Sequence, residues 1–294
     1  MIVARAAPAD SAASGPVENM AALMDASEPV AEMTMLLDEY EGRVRALRPG
    51  TFSAVRCRIL MIQLGGDERD ARWNRTLKTW AAMTGVTWLV GPFVLAGTLD
   101  FPGMWIALGT IASGALVQRM YVSRRNPEIL LRRKGIGPGT KGWDIAVMFV
   151  AGPLAVLPPL VAGQGIRSGW TPMPWTFALI GVALNTLGGV VWARSMASNA
   201  HFEPSVRIQR ELGHRVVESG PYGVVRHPGY AGYCIGILGT PFLLLSWQAL
   251  LVAPLLAVLF VVRAALEDAT LRRELVGYAD YAERVRYRLV PGVW

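Results

Sequence analysis

Long apolar segments alternate with short basic segments along most of this chain, and no other feature of the sequence limits the fold as much. The chain has 294 residues, of which 52% are hydrophobic and 17% charged. A soluble globular domain usually carries about 25% charged residues, so the composition favours lipid as the solvent. Each apolar segment has roughly 17–25 residues, enough for a helix to cross a ~30 Å hydrocarbon core. The segments lie at about 77–98, 103–122, 143–163, 172–196, 230–246 and 248–266.

The basic residues predict how these segments cross the membrane. Clusters of Lys and Arg precede the first segment, separate the second from the third and the fourth from the fifth, and follow the sixth. The other connections hold one basic residue, Arg167. Cytoplasmic loops carry an excess of Lys and Arg, so we predict that both termini are cytoplasmic. The chain has 26 Arg and three Lys, a ratio typical of a GC-rich bacterial genome, so we place it in a bacterial inner membrane.

The predicted fold is all-α: a polytopic integral membrane protein with about six transmembrane helices. Only Ser246-Trp247 separates the last two apolar segments, so these should form a tight helical hairpin. We divide the chain into an N-terminal arm (1–76) with an amphipathic helix over 31–47, transmembrane helices 1–4 (77–197) and a catalytic region (198–294). The net charge of +7 suits anionic lipid better than nucleic acid in a chain this apolar.

Polar chemistry is concentrated in two segments that the charge pattern places on the same side of the membrane, 198–230 and 263–294. Few ionisable residues lie in the middle of the spans, where transporters usually carry some. A strip at 211–232, which overlaps the end of the first segment, has five glycines and two prolines. Glycine allows backbone to approach a ligand closely, and Pro228 suits the first turn of a helix whose free N–H groups can hold an anion. The alternative is a basic anchor beside the membrane.

The second segment predicts a helical stripe that mixes apolar, aromatic and acidic side chains. Its members are spaced by three or four residues, as one helix face requires, if the helix continues past Gly277. A pocket wall needs such a mixture, whereas a surface ion pair between Arg263 and Glu267 is the alternative. The stripe comprises Glu267, Leu271, Glu274, Tyr278, Tyr281 and Val285.

Two other patterns in the sequence do not indicate a binding site. Residues 135–142 (GIGPGTKG) are rich in glycine but lack the spacing of a phosphate-binding P-loop, so we interpret them as a flexible turn. His201, His214 and His227 are separated by 13 residues each, which matches no usual zinc spacing, so we predict no metal site.

Both segments resemble the isoprenylcysteine carboxyl methyltransferase family, which includes bacterial phospholipid methyltransferase-like membrane proteins. The strip carries Ser219-Gly220-Pro221-Tyr222 and Val225-Arg226-His227-Pro228 before the hairpin. The C-terminal pattern follows the hairpin, and the resemblance covers about residues 195–294. Asp268 departs from the family, which usually has a second Glu there, and this leaves its role open. The remaining matches are Tyr230, Gly232, Arg263, Glu267, Leu271, Glu274, Gly277, Tyr278, Tyr281, Val285, Arg286 and Pro291.

The resemblance implies S-adenosylmethionine as cofactor, held in a cytoplasmic pocket, and a lipid-like or isoprenoid acceptor that enters between the helices. It implies catalytic roles for Arg226 and Glu267, with Arg226 gripping an acceptor carboxylate. Cofactor binding is implied for His214, Val216, Gly220, Tyr222, His227, Pro228, Tyr230 and Glu267.

Two rival functions remain open at this point. Some membrane sterol reductases have a similar C-terminal architecture and use NADPH, and Arg272, Arg273 or Arg286 would then bind the 2′-phosphate. The second rival is a non-catalytic membrane scaffold.

Overall fold

The computed structural model describes residues 68–132 and 135–294, with side chains described from residue 72 to 130 and from 135 onward. The described residues form eight α-helices and no strand. The helix predicted over 31–47 lies outside them. The helices are α1 (Glu68–Ala96), α2 (Pro102–Arg125), α3 (Pro127–Arg132), α4 (Gly142–Arg167), α5 (Phe177–Ser198), α6 (Pro228–Leu243), α7 (Ala249–Glu274) and α8 (Tyr278–Arg284).

Six of these helices coincide with the six predicted apolar segments, and the all-α membrane fold is confirmed. Four are long and apolar enough to cross a membrane: Arg72–Ala96 in α1, and α4, α5 and α7. Helix α2 has 24 residues but a weaker apolar character, with Gly, Ser and Thr along its length. Helix α6 has only 16 residues, which is about 24 Å of helix and less than the thickness of the hydrocarbon core.

Glycines let α5 and α6 pack with their backbones in contact. A Cβ added to Gly188 would lie 2.4 Å from the carbonyl oxygen of Gly232, and one added to Gly181 would lie 2.6 Å from the backbone nitrogen of Leu243. Small residues are how membrane helices approach this closely, since the surrounding lipid supplies no hydrophobic drive for helix association. This crossing fixes where the chain enters and leaves the segment between the two helices.

The predicted hairpin between the last two apolar segments is present. The chain leaves α6 at Leu243 and enters α7 at Ala249. Leu245 has a positive φ of 53°, and the hydroxyl of Ser246 accepts a hydrogen bond from the Ala249 N–H at 3.2 Å. This short turn places the start of α6 and the end of α7 at the same end of the bundle.

Residues 135–141 form the predicted turn into a helix. The side chain of Asn74 in α1 accepts from the Ile136 N–H (2.6 Å) and donates to the Ile136 carbonyl (2.9 Å). The Lys141 N–H then donates to the Val206 carbonyl at 3.0 Å. The turn therefore joins α1 to the segment that follows α5, at the same end of the bundle.

Candidate active site

A cavity of about 380 Å³ lies at the end of the bundle where α5 and α7 end and α6 begins. Small-molecule sites usually have volumes of about 300–1,000 Å³. Its walls come from the end of α5, the segment between α5 and α6, the start of α6, the second half of α7 and the start of α8. Of the residues predicted to form the site, seven line it: His214, Val216, Tyr222, Arg226, His227, Tyr230 and Glu267.

The two remaining predicted residues, Gly220 and Pro228, shape the backbone beside the cavity instead. Gly220 has a φ of +61° and begins a 3-10 turn that ends at Gly223. A Cβ on Gly220 would lie 2.7 Å from the Ser198 hydroxyl at the end of α5. Pro228 is the buried first residue of α6, where its missing N–H leaves no donor unpaired. A ligand contact by either residue stays a prediction.

Hydrogen bonds from main-chain and side-chain groups join the glycine-rich strip (211–232) to the C-terminal tail of the protein (residues 263–294). The Arg226 N–H donates to the Tyr287 carbonyl and the His227 N–H to the Arg288 carbonyl, both at 2.9 Å. The Tyr281 hydroxyl donates to the Tyr222 carbonyl at 2.7 Å. The structure thus brings together the two segments that the sequence singled out.

The predicted stripe is divided by a break in the helix. Helix α7 ends at Glu274, and Gly277 adopts the left-handed conformation (φ 79°) before α8 begins. Because of the turn at Gly277, Tyr278 and Tyr281 in α8 line the same cavity as Glu267 and Leu271 in α7. Glu274 lies outside it, in an ion pair with Lys141 at 2.7 Å.

Asp268 is the centre of the charged network beside the cavity, although only 1% of its surface is exposed. Its Oδ1 accepts from Arg226 Nε at 2.7 Å and from the Tyr278 hydroxyl at 3.0 Å. Its Oδ2 accepts from the Nε atoms of Arg272 and Arg288, both at 3.1 Å. Because burial and the charge of Asp268 raise the pKa of Tyr278, that hydroxyl stays protonated and keeps donating. The residue that departs from the family pattern therefore anchors three arginines.

Arg226 is held by the protein at four of its five N–H groups. Two bond Asp268, and the two on Nη1 donate to the carbonyls of Val285 and Arg286 at 2.7 Å each. A two-pronged grip on an acceptor carboxylate needs two free N–H groups on one edge, and this arrangement does not leave them. The catalytic assignment of Arg226 stays a prediction, and the geometry favours a positioning role.

Glu267 presents its carboxylate to the cavity and accepts a hydrogen bond from the Tyr230 hydroxyl. The sequence suggested Arg263 as its ion-pair partner. Arg263 instead pairs with Asp144 of α4 at 2.7 Å and donates to the Pro204 carbonyl at 2.6 Å. Among residues 72–130 and 135–294, none forms a salt bridge with Glu267, so its carboxylate can accept further hydrogen bonds from a ligand.

Aromatic rings form the wall of the cavity that lies toward the membrane. The rings of Tyr233 and Phe260 have centroids 4.3 Å apart, and Trp192 lies 5.7 Å from Tyr233. Phe202 packs edge-on against Trp192 at 5.1 Å, and the Arg263 guanidinium lies 5.5 Å from the centroid of Tyr230. Aromatic faces attract cations, so this wall suits a positively charged ligand group.

A stacked pair of histidines also lines the cavity. The rings of His201 and His214 are 4.4 Å apart, and Gln209 contacts both. Burial, with the charges of His201 and Arg207, lowers the pKa of His214 to about 4. Since the Gln209 N–H donates to Nδ1 of His214, the neutral ring carries its proton on Nε2, which can donate to a ligand.

Sequence reasoning missed much of the lining because those residues lie outside the recognisable motifs. The aromatic wall comes from the ends of apolar segments, where Trp and Phe look like ordinary membrane residues. The signal that was available is the group Asn199-Ala200-His201-Phe202, which directly follows α5. The missed lining residues include Trp192, Asn199, His201, Phe202, Gln209, Tyr233 and Phe260. Arg263 also lines the cavity, and the sequence identified it as a family match without giving it a role in the site.

The structure also bears on the NADPH site of the reductase alternative and on metal binding. The three arginines proposed for a 2′-phosphate, Arg272, Arg273 and Arg286, do not line this cavity. Within the described part of the chain, no group of three His, Cys, Asp or Glu residues is placed to hold a metal ion.

Fold and site together define a polytopic helical membrane protein with a polar, aromatic-walled cavity at one end of its bundle. The model of the isoprenylcysteine carboxyl methyltransferase (ICMT) family matches residues 179–273, about a third of the chain. The predicted resemblance to this family is therefore confirmed for the region that contains α5, α6, α7 and most of the cavity.

Curated relatives agree with this assignment. The chain is 29% identical over 122 residues to protein-S-isoprenylcysteine O-methyltransferase B of Arabidopsis thaliana, covering 38% of this chain and 58% of the relative. It is 25% identical over 114 residues to a probable protein-S-isoprenylcysteine O-methyltransferase of Oryza sativa subsp. indica, covering 38% of this chain and 60% of the relative. The chain thus spans about three fifths of the length of these relatives.

Proposed function

We propose that this protein transfers a methyl group from S-adenosylmethionine to a lipid-like or isoprenoid acceptor at the cytoplasmic face of the membrane. The observation that carries the proposal is the cavity of about 380 Å³, whose carboxylate and aromatic residues lie largely within the region that the family matches. The acceptor group is a carboxylate, a thiol or an amine.

The chemistry of the lining suits this cofactor. When bound, S-adenosylmethionine supplies a methyl group activated by a positively charged sulfur. The aromatic wall of Tyr230, Tyr233 and Phe260 suits that charge. Glu267 can accept hydrogen bonds from the ribose hydroxyls or the amino group of the cofactor. The Nε2–H of His214 can donate a hydrogen bond to a nitrogen or oxygen atom of the cofactor.

The protein's main contribution is to position two reactants and exclude water. Holding reactants in a productive geometry can supply roughly 7–11 kcal/mol of a reaction barrier. Here Asp268 fixes Arg226, and through the bonds of Arg226 to Val285 and Arg286 it fixes the tail against the strip. An acceptor that is already an anion needs no general base. Such an acceptor suits this site, because Arg226 is occupied by hydrogen bonds to Asp268, Val285 and Arg286.

An amine acceptor would need a general base, and two cavity residues qualify. The Nε2 of His227 lies 3.4 Å from Asp268 Oδ1 and 3.3 Å from the Tyr278 hydroxyl oxygen. Because the Tyr278 hydroxyl donates to Asp268, both neighbours accept from Nε2, so Nδ1 is the ring nitrogen that would take up a proton. Glu267 is the second candidate. The relatives' names specify isoprenylcysteine, a lipid-like carboxylate acceptor, and this favours the carboxylate.

The cavity end of the bundle is proposed to face the cytoplasm because the basic loops lie there. Labelling of a cysteine at exposed Ser219, in a chain with Cys57→Ser and Cys234→Ser, tests this orientation. A membrane-impermeant maleimide should react in inverted vesicles and not in right-side-out vesicles. The reverse pattern would overturn the orientation alone.

Thermal shift and isotope transfer test the function. S-adenosylhomocysteine should stabilise the purified protein, by about 2.7 kcal/mol at a hundred times its dissociation constant, and NADPH should not. Methyl-tritiated S-adenosylmethionine incubated with native membrane extract should then label a lipid-soluble product. Stabilisation by NADPH alone would favour the reductase, and no response to either ligand would favour the scaffold.

A further inference from the structure

A second, partly open cavity of about 450 Å³ is lined by the long apolar helices of the bundle. Helices α1, α2, α4, α5, α6 and α7 all contribute to its walls. It shares Trp192 and Tyr233 with the first cavity, so the two rings form a common wall between a polar chamber and an apolar one. A long molecule that extends past the rings of Trp192 and Tyr233 would have its polar head in the first cavity and its apolar tail in the second.

Most of the second cavity is lined by small or apolar residues, but it also contains two amide side chains. Gln118 reaches from α2 onto α5, where a Cβ added to Gly189 would lie 2.7 Å from its Nε2 atom. Asn185 lies one helical turn before Gly189 on the same face of α5. Both amides therefore face the same space.

The hydrogen-bonding capacity of these amides is largely unused. Asn185 donates from Nδ2 to the Gly181 carbonyl at 3.1 Å, and no described residue donates to its Oδ1. Among the described residues, none forms a hydrogen bond with the amide of Gln118. Polar side chains inside a membrane are costly unless they find a partner, and they commonly mark a ligand path.

We propose that this cavity holds the tail of the methyl acceptor and that Gln118 and Asn185 hydrogen-bond an oxygen function on that tail. The inference rests on the proposed methyl transfer and narrows its substrate class to oxygenated lipids, carrying a hydroxyl or carbonyl group. From Trp192 to Asn185 the helix rises about 10 Å, so the oxygen lies roughly 5–10 Å beyond the aromatic wall. A plain hydrocarbon tail would leave both amides without partners.

Displacement of a fluorescent fatty acid from the full-length protein tests this inference without cofactor. Detergent-solubilised protein is loaded with cis-parinaric acid, which is then displaced by oleic acid or by ricinoleic acid, which adds one hydroxyl partway along the chain. Ricinoleic acid should displace the probe at about three- to tenfold lower concentration, the gain expected from one neutral hydrogen bond. In Gln118→Leu, oleic acid and ricinoleic acid should displace the probe at the same concentration.

Gln164→Leu is the matched control, because Gln164 is an exposed amide on spanning helix α4 and does not line the cavity. It should keep the preference for ricinoleic acid. If Gln118→Leu fails to elute as a folded species, Gln118→Met replaces it. Equal displacement by the two lipids in the native chain, a preference that survives both Gln118 variants, or no binding of the probe would each overturn the inference.

The isotope assay with membrane extract separates this result from the proposed function. Methyl transfer to lipids without an oxygenated tail, together with equal displacement, would overturn only the tail preference. Absence of any methyl transfer, with the displacement ratio intact, would overturn the methyltransferase proposal and leave the lipid site.

Discussion

Arg226 and Asp268 are 42 residues apart in the sequence, and their side chains meet in a buried, two-pronged ion pair, with Nε 2.7 Å from Oδ1. Arg226 begins the approach to α6, and Asp268 lies near the end of α7. The pair therefore closes the helical hairpin at the end where the cavity lies. A shorter acid fits at this position, because Asp268 bonds the arginine directly and does not line the cavity.

Asp268→Asn should destabilise the fold strongly. Removing one partner of a buried ion pair leaves an uncompensated charge and typically costs about 3–5 kcal/mol. The melting temperature in detergent measures the loss. Asp280→Asn, at an exposed acid on α8, should leave it nearly unchanged. Equal melting temperatures for the two variants would show that the network does not stabilise the hairpin.

Glu267→Gln should weaken binding of S-adenosylhomocysteine while the fold stays intact. A hydrogen bond to a charged group contributes about 1.5–3 kcal/mol, so we expect affinity to fall by roughly ten- to a hundredfold. Isothermal titration measures this. Glu274→Gln is the control on the same helix, since Glu274 lies outside the cavity and is paired with Lys141. Unchanged affinity in Glu267→Gln would remove Glu267 from the cofactor site.

Arg226→Ala should abolish methyl transfer while binding of S-adenosylhomocysteine remains measurable. The physical reason is positional, because the guanidinium joins Asp268 to the tail carbonyls of Val285 and Arg286. Arg284→Ala removes an exposed ion pair with Glu218, worth at most about 1 kcal/mol, and should retain transfer. Full turnover by Arg226→Ala would contradict any role in the reaction.

His214 should make the stability of the protein depend on pH. Its pKa is lowered from 6.5 to about 4 by burial first and then by His201 and Arg207. Between these values the unfolded chain binds more protons than the folded chain, so stability rises with pH from about 4 to about 6.5. The contribution is complete above that range and is lost as the pH falls through it. Melting temperatures of His214→Gln should show a shallower slope in this window, and an identical slope would rule out this histidine as its source.

Gly188→Ala should disturb the packing of α5 against α6. The added methyl group would lie 2.4 Å from the Gly232 carbonyl oxygen, and backbone on both sides leaves little room to adjust. Overpacking of this kind costs about 1–3 kcal/mol. At Gly109 in α2 an added Cβ meets nothing within 4 Å, so Gly109→Ala should not destabilise. The difference between the two melting temperatures checks the crossing.

The helices, the hairpin and the meeting of the strip with the tail could be predicted from the sequence. A chain in lipid must satisfy its backbone hydrogen bonds within each span, so apolar length and turn residues determine the helices locally. The partner of Arg263 could not be predicted this way. Glu267 is its neighbour along the helix, yet the side chain pairs with Asp144, 119 residues away, because the rotation of α7 turns it toward α4.

By itself, the sequence determined which segments are helical, where the chain reverses and which end of the bundle carries the polar chemistry. These features follow from hydropathy, short turns and family motifs that lie close together in the chain. Only the tertiary structure decided that Asp268 holds Arg226, that Trp192 and Tyr233 border both cavities and that Gln118 faces the second one. Each of these depends on how distant helices rotate and pack, which is a property of the whole bundle and is encoded in no single segment.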